Sequence, residues 1–491
     1  MLEAEVLKVL KKESYYSKIQ KHLNSNKSEV YKRLNNDKVF NELCEEIKDY
    51  FDNMTTEEMN KYDNHKDVLN RQSNAMIGKT GEKKYYYNLI EQYIKNNNKT
   101  KMQYPFYYKN LTDAVYHEIW GYPKISFWIE EEGNNATDLI IDRNNIILKK
   151  DGRTFRQKQT ISDDEIDRIE QKLLLINKEL QDHKGSYKEV YTNNNIRVTI
   201  YNRQGQERKT RMVFRKYVVK DYSFNKLTQL STIPEEAVKL IQLIIKLKFN
   251  VMFTGEMASG KTTMLNTFLK TKDLLVKDDS VCFMVQDDPE IEYQMFKNTT
   301  IIPILLNWEK NKNIEFVEKK ALRSSADYFV FGEARSKEML RIYISLISRG
   351  NRGNSITYHA SSAKKAIDSI LTSFSEGAER EQMRNQLAAY SDLILHKRTR
   401  SDGSKVLDSI TQVVFKDNVI SFVDILKNVL EHDKETGVFT EKWIFNYFID
   451  ESKEEIFTKF SSSDYIEYKR YLKKLDNKVI TRMYIDNKKE Q

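Results

Sequence analysis

Apolar positions recur at helical spacing through the first hundred residues, at Val6, Leu7 and Leu10 and again at Leu43, Ile47 and Phe51, among Lys, Glu, Asn and Tyr and without a proline. This pattern predicts a helical N-terminal extension over residues 1–105. The texture then changes. Pro105 and Pro123 flank aromatic stretches, and TDLIID (137–142) and NIILKKDGRTF (145–155) read as strands with a DG turn. SDDEIDRIEQKLLLINKEL (162–180) reads as a helix opened by a serine cap with acidic residues in its first turn. IRVTIYN (196–202) and RMVFRKYVV (211–219) resume the strand pattern, so residues 106–230 are expected to form a small α+β domain. STIPEEAVKLIQLIIKLKFN (231–250) places Thr232 and Pro234 where a cap and a first-turn proline belong, ahead of an amphipathic helix. A further domain is therefore expected over 231–425, followed by a mostly helical tail over 426–491.

Length and composition agree with several domains. A chain of 491 residues exceeds what one hydrophobic core usually supports, and 40% hydrophobic with 31% charged residues describes a soluble globular protein. The two cysteines, Cys44 and Cys282, lack the spacing of a metal site or disulfide framework, which favours a reducing, cytoplasmic setting. No stretch approaches the roughly 18–20 apolar residues of a membrane span, so neither a signal peptide nor an integral membrane segment is expected. The formal net charge of +9 is compatible with nucleic acid, an anionic membrane surface, or neither.

The strongest chemical signal is Gly255-Glu256-Met257-Ala258-Ser259-Gly260-Lys261-Thr262, preceded by the apolar Val251-Met252-Phe253 and followed by a helical run. Glycines in such a loop let backbone N–H groups curl around phosphates, and the helix N-terminus adds its positive dipole end. Lys261 is expected to reach the β- and γ-phosphates of ATP, and Thr262 to ligate Mg²⁺. Gly78-Lys79-Thr80 repeats the last three residues of the motif, but Ser73 stands where the upstream glycine belongs and no apolar strand leads in, so an ordinary turn is expected there. In ADYFVFGEAR (326–335) an apolar strand ends in Gly332-Glu333, which would deliver the Glu333 carboxylate to Mg²⁺ and its waters. VCFMVQDDPEIEY (281–293) is a strand running into Asp287, Asp288, Glu290 and Glu292, with Glu290 the candidate to orient the attacking water. RGNRGNSITYHASSAKKAI (349–367) places His359 at the end of a strand, where it would sense the γ-phosphate.

Together these segments resemble the secretion traffic ATPases of type II and type IV secretion, pilus assembly and conjugation. The four motifs stand in that family's order: GEMASGKTT (255–263), which adds Ala258, Ser259 and Thr263 to the nucleotide-binding set; QDDPEI (286–291); LRSSADYFVFGEAR (322–335); and ITYHASS (356–362). KKALRSSADYFVFGEAR (319–335), YSDLILHKRTRSDGSKVLDSITQVV (390–414) and VFTEKW (438–443) are most similar to the Tad/Flp pilus-assembly branch, and the resemblance covers roughly residues 130–450.

The resemblance implies an α/β fold: a RecA-like P-loop domain preceded by the α+β N-domain, which closes over the nucleotide. It further implies a homohexameric, Mg-ATP-hydrolysing motor, cytoplasmic and attached to the membrane through an inner-membrane platform protein. Arg215 matches the family's N-domain arginine that approaches the phosphates and Arg197 is a weaker match. Lys319 and Arg323 match basic residues that reach a neighbouring subunit's nucleotide. The sequence departs from the family pattern at Gln286, Ala326 and Asn351, and Gln286 bears on the rate of hydrolysis. Two other readings remain open: a DNA-translocating or conjugation ATPase with DNA as partner, and a nucleotide-binding regulatory scaffold with little turnover.

Overall fold

The computed structural model describes residues 38–57, 74–75, 78–130, 136–150, 153–176, 187–192, 194, 196–201, 210–216, 221–275, 279–287, 289–306, 314–432 and 438–485. The expected helix through Val6, Leu7 and Leu10, the DG turn at 151–152 and Asp288 lie outside these residues. Chain contacts divide the molecule into two compact units, Met1–Val218 and Val219–Gln491.

In the first unit, residues 38–57 are helical and are followed by helices Thr80–Asn96 and Leu111–Ile119. Leu43, Ile47 and Phe51, and likewise Tyr86, Ile90 and Ile94, repeat every four residues, so each helix lays one apolar stripe into a shared core with Ala114, Val115 and Tyr116. That core runs past residue 105, so the helical extension packs as one body with the segment up to Tyr116. A six-stranded antiparallel sheet follows: β1 Asp138–Asp142, β2 Asn145–Lys150, β3 Arg153–Thr160, β4 Tyr187–Tyr191, β5 Arg197–Tyr201 and β6 Arg211–Arg215, ordered β3-β2-β1-β6-β5-β4. Ile166, Ile169 and Leu173 of helix Asp163–Ile176 join its core. Ser162 opens this helix with a capping box: the Ser162 hydroxyl accepts from the Glu165 N–H at 3.3 Å, and the Glu165 carboxylate accepts from the Ser162 N–H at 2.7 Å.

The second unit is built on a ten-stranded sheet. Its strands are β7 Val251–Gly255, β8 Ser280–Gln286, β9 Thr299–Leu305, β10 Tyr328–Glu333, β11 Ser355–His359, β12 Leu393–Thr399, β13 Lys405–Lys416, β14 Val419–His432, β15 Val438–Phe445 and β16 Val479–Ile485. The order is β16-β15-β14-β13-β12-β7-β11-β10-β8-β9; the six strands from β12 to β9 run parallel and β13 to β16 extend the sheet antiparallel.

Both faces of the parallel part are covered, so its strands read as continuous apolar runs. Val251 and Phe253 enter one core with Met264, Leu265 and Phe268 of helix Lys261–Leu275. Met252, Phe283, Phe329 and Phe331 enter the other with Leu340 and Tyr343 of helix Lys337–Ile347. The helix after Pro234 begins at Glu235, with Pro234 at its cap position; Thr232 instead accepts the Leu407 N–H on its carbonyl at 2.7 Å.

Residues 426–491 depart from the expected mostly helical tail. They include the end of β14, β15 and β16 as well as helices Glu454–Phe460 and Ser462–Leu475. These elements belong to the second unit's core: Trp443, Phe457, Tyr465, Tyr468 and Leu472 are buried with Leu240 and Ile244. The Lys453 ammonium reaches the buried Asp392 carboxylate at 2.9 Å. Charges on the outer strands, such as Glu431 reaching diagonally to Lys442 across the β14–β15 pair, gave the segment a charged texture that is also compatible with helix.

Candidate functional site

Strand β7 is buried along all five residues and ends at Gly255 against the neighbouring strand β12. A side chain at Gly255 would place its Cβ 2.4 Å from the Lys397 carbonyl oxygen and 2.5 Å from Ser259 Oγ, so only glycine fits. The loop turns through Ala258 at φ +57° and Gly260 at φ +85° before helix Lys261–Leu275 begins, and Thr263 stands in its first turn. Ser259 is buried and its hydroxyl has no hydrogen-bond partner among the described residues. An unfilled donor inside the loop is what a phosphate oxygen would satisfy.

Lys261 Nζ donates to the Glu256 carbonyl at 2.9 Å and lies 3.1 Å from His359 Nδ1. Burial pulls the Lys261 pKa below the ordinary lysine value, against the opposing pull of Glu333 and Glu290. His359 arrives at the end of β11, paired with Gly255 across the parallel ladder, and its Nε2 contacts the Glu333 carboxylate. A lysine donating to Nδ1 leaves Nε2 as the protonated ring nitrogen, which fits its contact with Glu333. The other Glu333 oxygen pairs with Arg335. Burial alone would raise the Glu333 pKa, but the hydrogen bonds from His359 and Arg335 hold it down at about 2.

The loop after β8 brings in Glu290. Thr262 Oγ1 donates to the Glu290 carboxylate at 2.6 Å, and Asn266 Nδ2 donates to the Glu290 carbonyl at 3.2 Å. Gln286 is fully buried: its Oε1 accepts the Ile291 N–H at 2.9 Å and its Nε2 donates to the Tyr293 hydroxyl at 2.9 Å. It therefore braces the loop that carries Glu290. The other two departures from the family pattern meet one another, since Asn351 Nδ2 donates to the Ala326 carbonyl at 2.8 Å.

Lys261, Thr262, Glu290, Glu333 and His359 thus converge from the ends of β7, β8, β10 and β11. Lys319 and Arg323 are exposed, on helix Ile314–Leu322 and just after it. In the first unit Arg197 and Arg215 stand opposite one another on β5 and β6. Arg215 pairs with Asp138 at 2.7 Å and Arg197 with Glu189 at 3.4 Å. Sequence reasoning passed over Asn266 and Arg335, although Arg335 closes the quoted GEAR motif.

The first unit also holds a cluster of the buried Asp113 and His117 with the half-buried Glu130, their ligand atoms within 4.8 Å of one another. His117 Nδ1 accepts the Tyr122 N–H, so the proton of a neutral ring sits on Nε2, facing Asp113 at 3.5 Å and Glu130 at 3.3 Å. Lys83 pairs with the same Glu130 oxygen. A metal-ligating imidazole instead donates its other N–H, so this arrangement fits an ion-pair network.

A glycine-lined loop between a buried parallel strand and a helix, with β11 separating the loop strand from the strand carrying Glu333, defines a P-loop α/β domain of RecA-like type. Residues 192–391 match the family described as Type II/IV secretion system protein, a span that takes in β5, β6 and the whole P-loop constellation. Two uncharacterized proteins of Methanocaldococcus jannaschii are similar in sequence. The first is 30% identical over 145 residues, 29% of this chain and 51% of that protein. The second is 27% identical over 157 residues, 32% of this chain and 27% of that protein. The chain thus spans about half the length of the first relative and about a quarter of the second. Among solved structures, the Legionella pneumophila ATPase DotB is similar at 16% identity and TM-score 0.44, covering 72% of this chain and 86% of that one. The pilus retraction motor PilT with bound ADP is similar at 15% identity and TM-score 0.42, covering 71% and 89%.

Proposed function

We propose that the protein is an ATPase that couples Mg-ATP hydrolysis to mechanical work at a pilus-assembly or secretion machine. The observation that carries this reading is the convergence of Lys261, Thr262, Glu290, Glu333 and His359 on one end of the P-loop. The family match over residues 192–391 supports the choice of machine, and KKALRSSADYFVFGEAR (319–335), YSDLILHKRTRSDGSKVLDSITQVV (390–414) and VFTEKW (438–443) favour the Tad/Flp branch.

Backbone N–H groups of Gly255 to Thr263 would cradle the phosphates, with the Ser259 hydroxyl filling its missing hydrogen bond. The Thr262 hydroxyl and the nearby carboxylates form a set of hard oxygen donors that fits Mg²⁺, with Thr262 and Glu333 as the residues to hold it. Bound there, the ion would neutralise charge on the β- and γ-phosphates. Lys261 would leave the Glu256 carbonyl and His359 for the phosphates, so His359 registers whether the γ-phosphate is present. Glu290 would orient the attacking water and accept its proton.

Arg215 would exchange Asp138 for the phosphates as the N-domain closes, with Arg197 beside it, while Lys319 and Arg323 would reach the nucleotide of the next subunit in a homohexamer. An inner-membrane platform protein would receive the work at the cytoplasmic face. Among the described residues no helix is long and apolar enough to cross a membrane.

Gln286 does not favour the scaffold reading, because its acceptor role toward the Ile291 N–H is one that a glutamate would fill equally. The test is Mg-dependent phosphate release by the wild type and Glu290→Gln, with native mass recorded with and without Mg-ATP. Turnover in a hexamer-sized species, lowered at least about a hundredfold by Glu290→Gln, is expected. Nucleotide binding without turnover or change of mass would leave a scaffold, and DNA-stimulated turnover would redirect the reading to a translocase.

A further inference from the structure

The P-loop has two flanks. On one, β11 brings His359 beside Lys261; on the other, β12 runs parallel to β7 with Lys397 opposite Gly255. Lys397 is 2% exposed. Its carbonyl oxygen abuts Gly255, and its Cε lies 3.8 Å from the point where a Gly260 Cβ would sit, so the side chain runs along the phosphate loop.

Other buried lysines in the molecule are accounted for by their partners. Lys272 donates to the Gly353 carbonyl at 2.8 Å and lies over the Tyr328 ring. Lys453 holds Asp392 and the Ser391 carbonyl, and Lys172 donates to the Trp120 carbonyl. The Lys397 ammonium has neither a hydrogen-bond acceptor nor a carboxylate partner among the described residues, and the charged groups that act on it most are two more cations, Arg400 and Lys405. Arg400 is turned away onto Glu441 of β15 and the Ser231 carbonyl. Lys405 reaches Thr399 Oγ1 at 3.2 Å while its Cγ passes 3.7 Å from the same Gly260 point. On the loop itself the charged groups are Glu256, which is exposed, and Lys261, which faces the β11 flank. A buried cation among cations, pressed against a loop shaped for phosphate, lacks an anion.

We infer that Lys397 is a second phosphate-binding cation of the P-loop, meeting the nucleotide's phosphate chain on the β12 flank, across the loop from Lys261 and His359. The inference rests on the P-loop being a nucleotide site. Burial, helped by Arg400 and Lys405, brings the Lys397 pKa down to about 7. An arriving phosphate restores the charged form, so binding above neutrality takes up a proton.

The full chain is titrated calorimetrically with ADP at pH 8 in buffers of different ionisation enthalpy, as wild type and as Lys397→Met, with adenosine as the phosphate-free probe. In the wild type, ADP is expected to draw in up to about 0.9 proton at this site, the neutral fraction of a group with a pKa about one unit below the pH. Lys397→Met loses that uptake and binds ADP about tenfold more weakly, and adenosine shows neither effect. Equal uptake and equal affinity in the two proteins overturn the role of Lys397 and leave the P-loop reading intact. Failure of ADP to bind the wild type overturns the P-loop reading itself. Should Lys397→Met not fold, Lys397→Arg, which stays charged at every pH, takes its place: loss of the uptake with ADP affinity kept supports the inference, and unchanged uptake removes it.

Discussion

Gly-Lys-Thr occurs at residues 78–80 and again at 260–262, each time at the start of a helix and each time with the glycine at positive φ, +79° and +85°. The surroundings differ completely. Lys79 is exposed at the cap of helix Thr80–Asn96, and a Cβ on Gly78 would meet nothing within 4 Å among the described residues. Lys261 is buried, and the loop it closes rises from a strand buried on both faces and flanked by β11 and β12. The tripeptide sets a local turn into a helix. The sheet decides whether that turn faces other functional groups, because parallel neighbours deliver their own chain ends to the same edge.

Lys261→Ala is the largest break: phosphate release should fall at least about a hundredfold with the melting temperature nearly unchanged, checked by turnover and thermal scans on the same preparation. Gly255→Ala attacks the shape of the loop. Its Cβ would press on the Lys397 carbonyl and Ser259 Oγ, and a destabilisation of roughly 1–3 kcal/mol in urea is expected from such overpacking. Gly78→Ala has the space but not the φ, so its cost should come from backbone strain alone.

Acid titration sharpens the difference in another way. The Glu333 pKa is lowered from 4.5 to about 2, so its contribution is fully present above about 4.5 and is lost as the pH falls toward 2. Over that window the wild type should lose more stability than Glu333→Gln, measured by denaturant midpoints; matching pH profiles would remove the Glu333 pairing from the account. The smallest effect belongs to Lys79→Ala, which should leave turnover unchanged and stability within about 0.5 kcal/mol. A loss of nucleotide affinity there would undo the comparison.

Much of the site could be read directly because its residues lie on local patterns. The buried strand into Gly255, the helix beyond it, and the strands ending at Glu333 and His359 are apolar runs punctuated by glycine or a polar residue, and Ser162 with Glu165 spells out its capping box. The outer strands were harder to read. β15 puts Glu441 and Lys442 on opposite faces, and β16 pairs with β15 only across the intervening helices, so periodicity did not separate these strands from helix. Lys397 was hidden for a related reason. HKRTR (396–400) looks like a solvated basic run, yet Lys397 and Arg400 are buried.

The amino-acid sequence by itself determined the P-loop, the order of the chemical groups behind it and the alternation of α and β elements around them, since each depends on residues close in the chain. Only the tertiary structure decided that Gln286 braces a loop and that Asn351 meets Ala326. It alone also decided that the C-terminal segment completes the same sheet and that Lys397 has no anionic partner among the described residues. Apart from Gln286, whose partner Ile291 is five residues on, these follow from contacts between segments distant in sequence, where burial and dielectric environment are set by what packs on top.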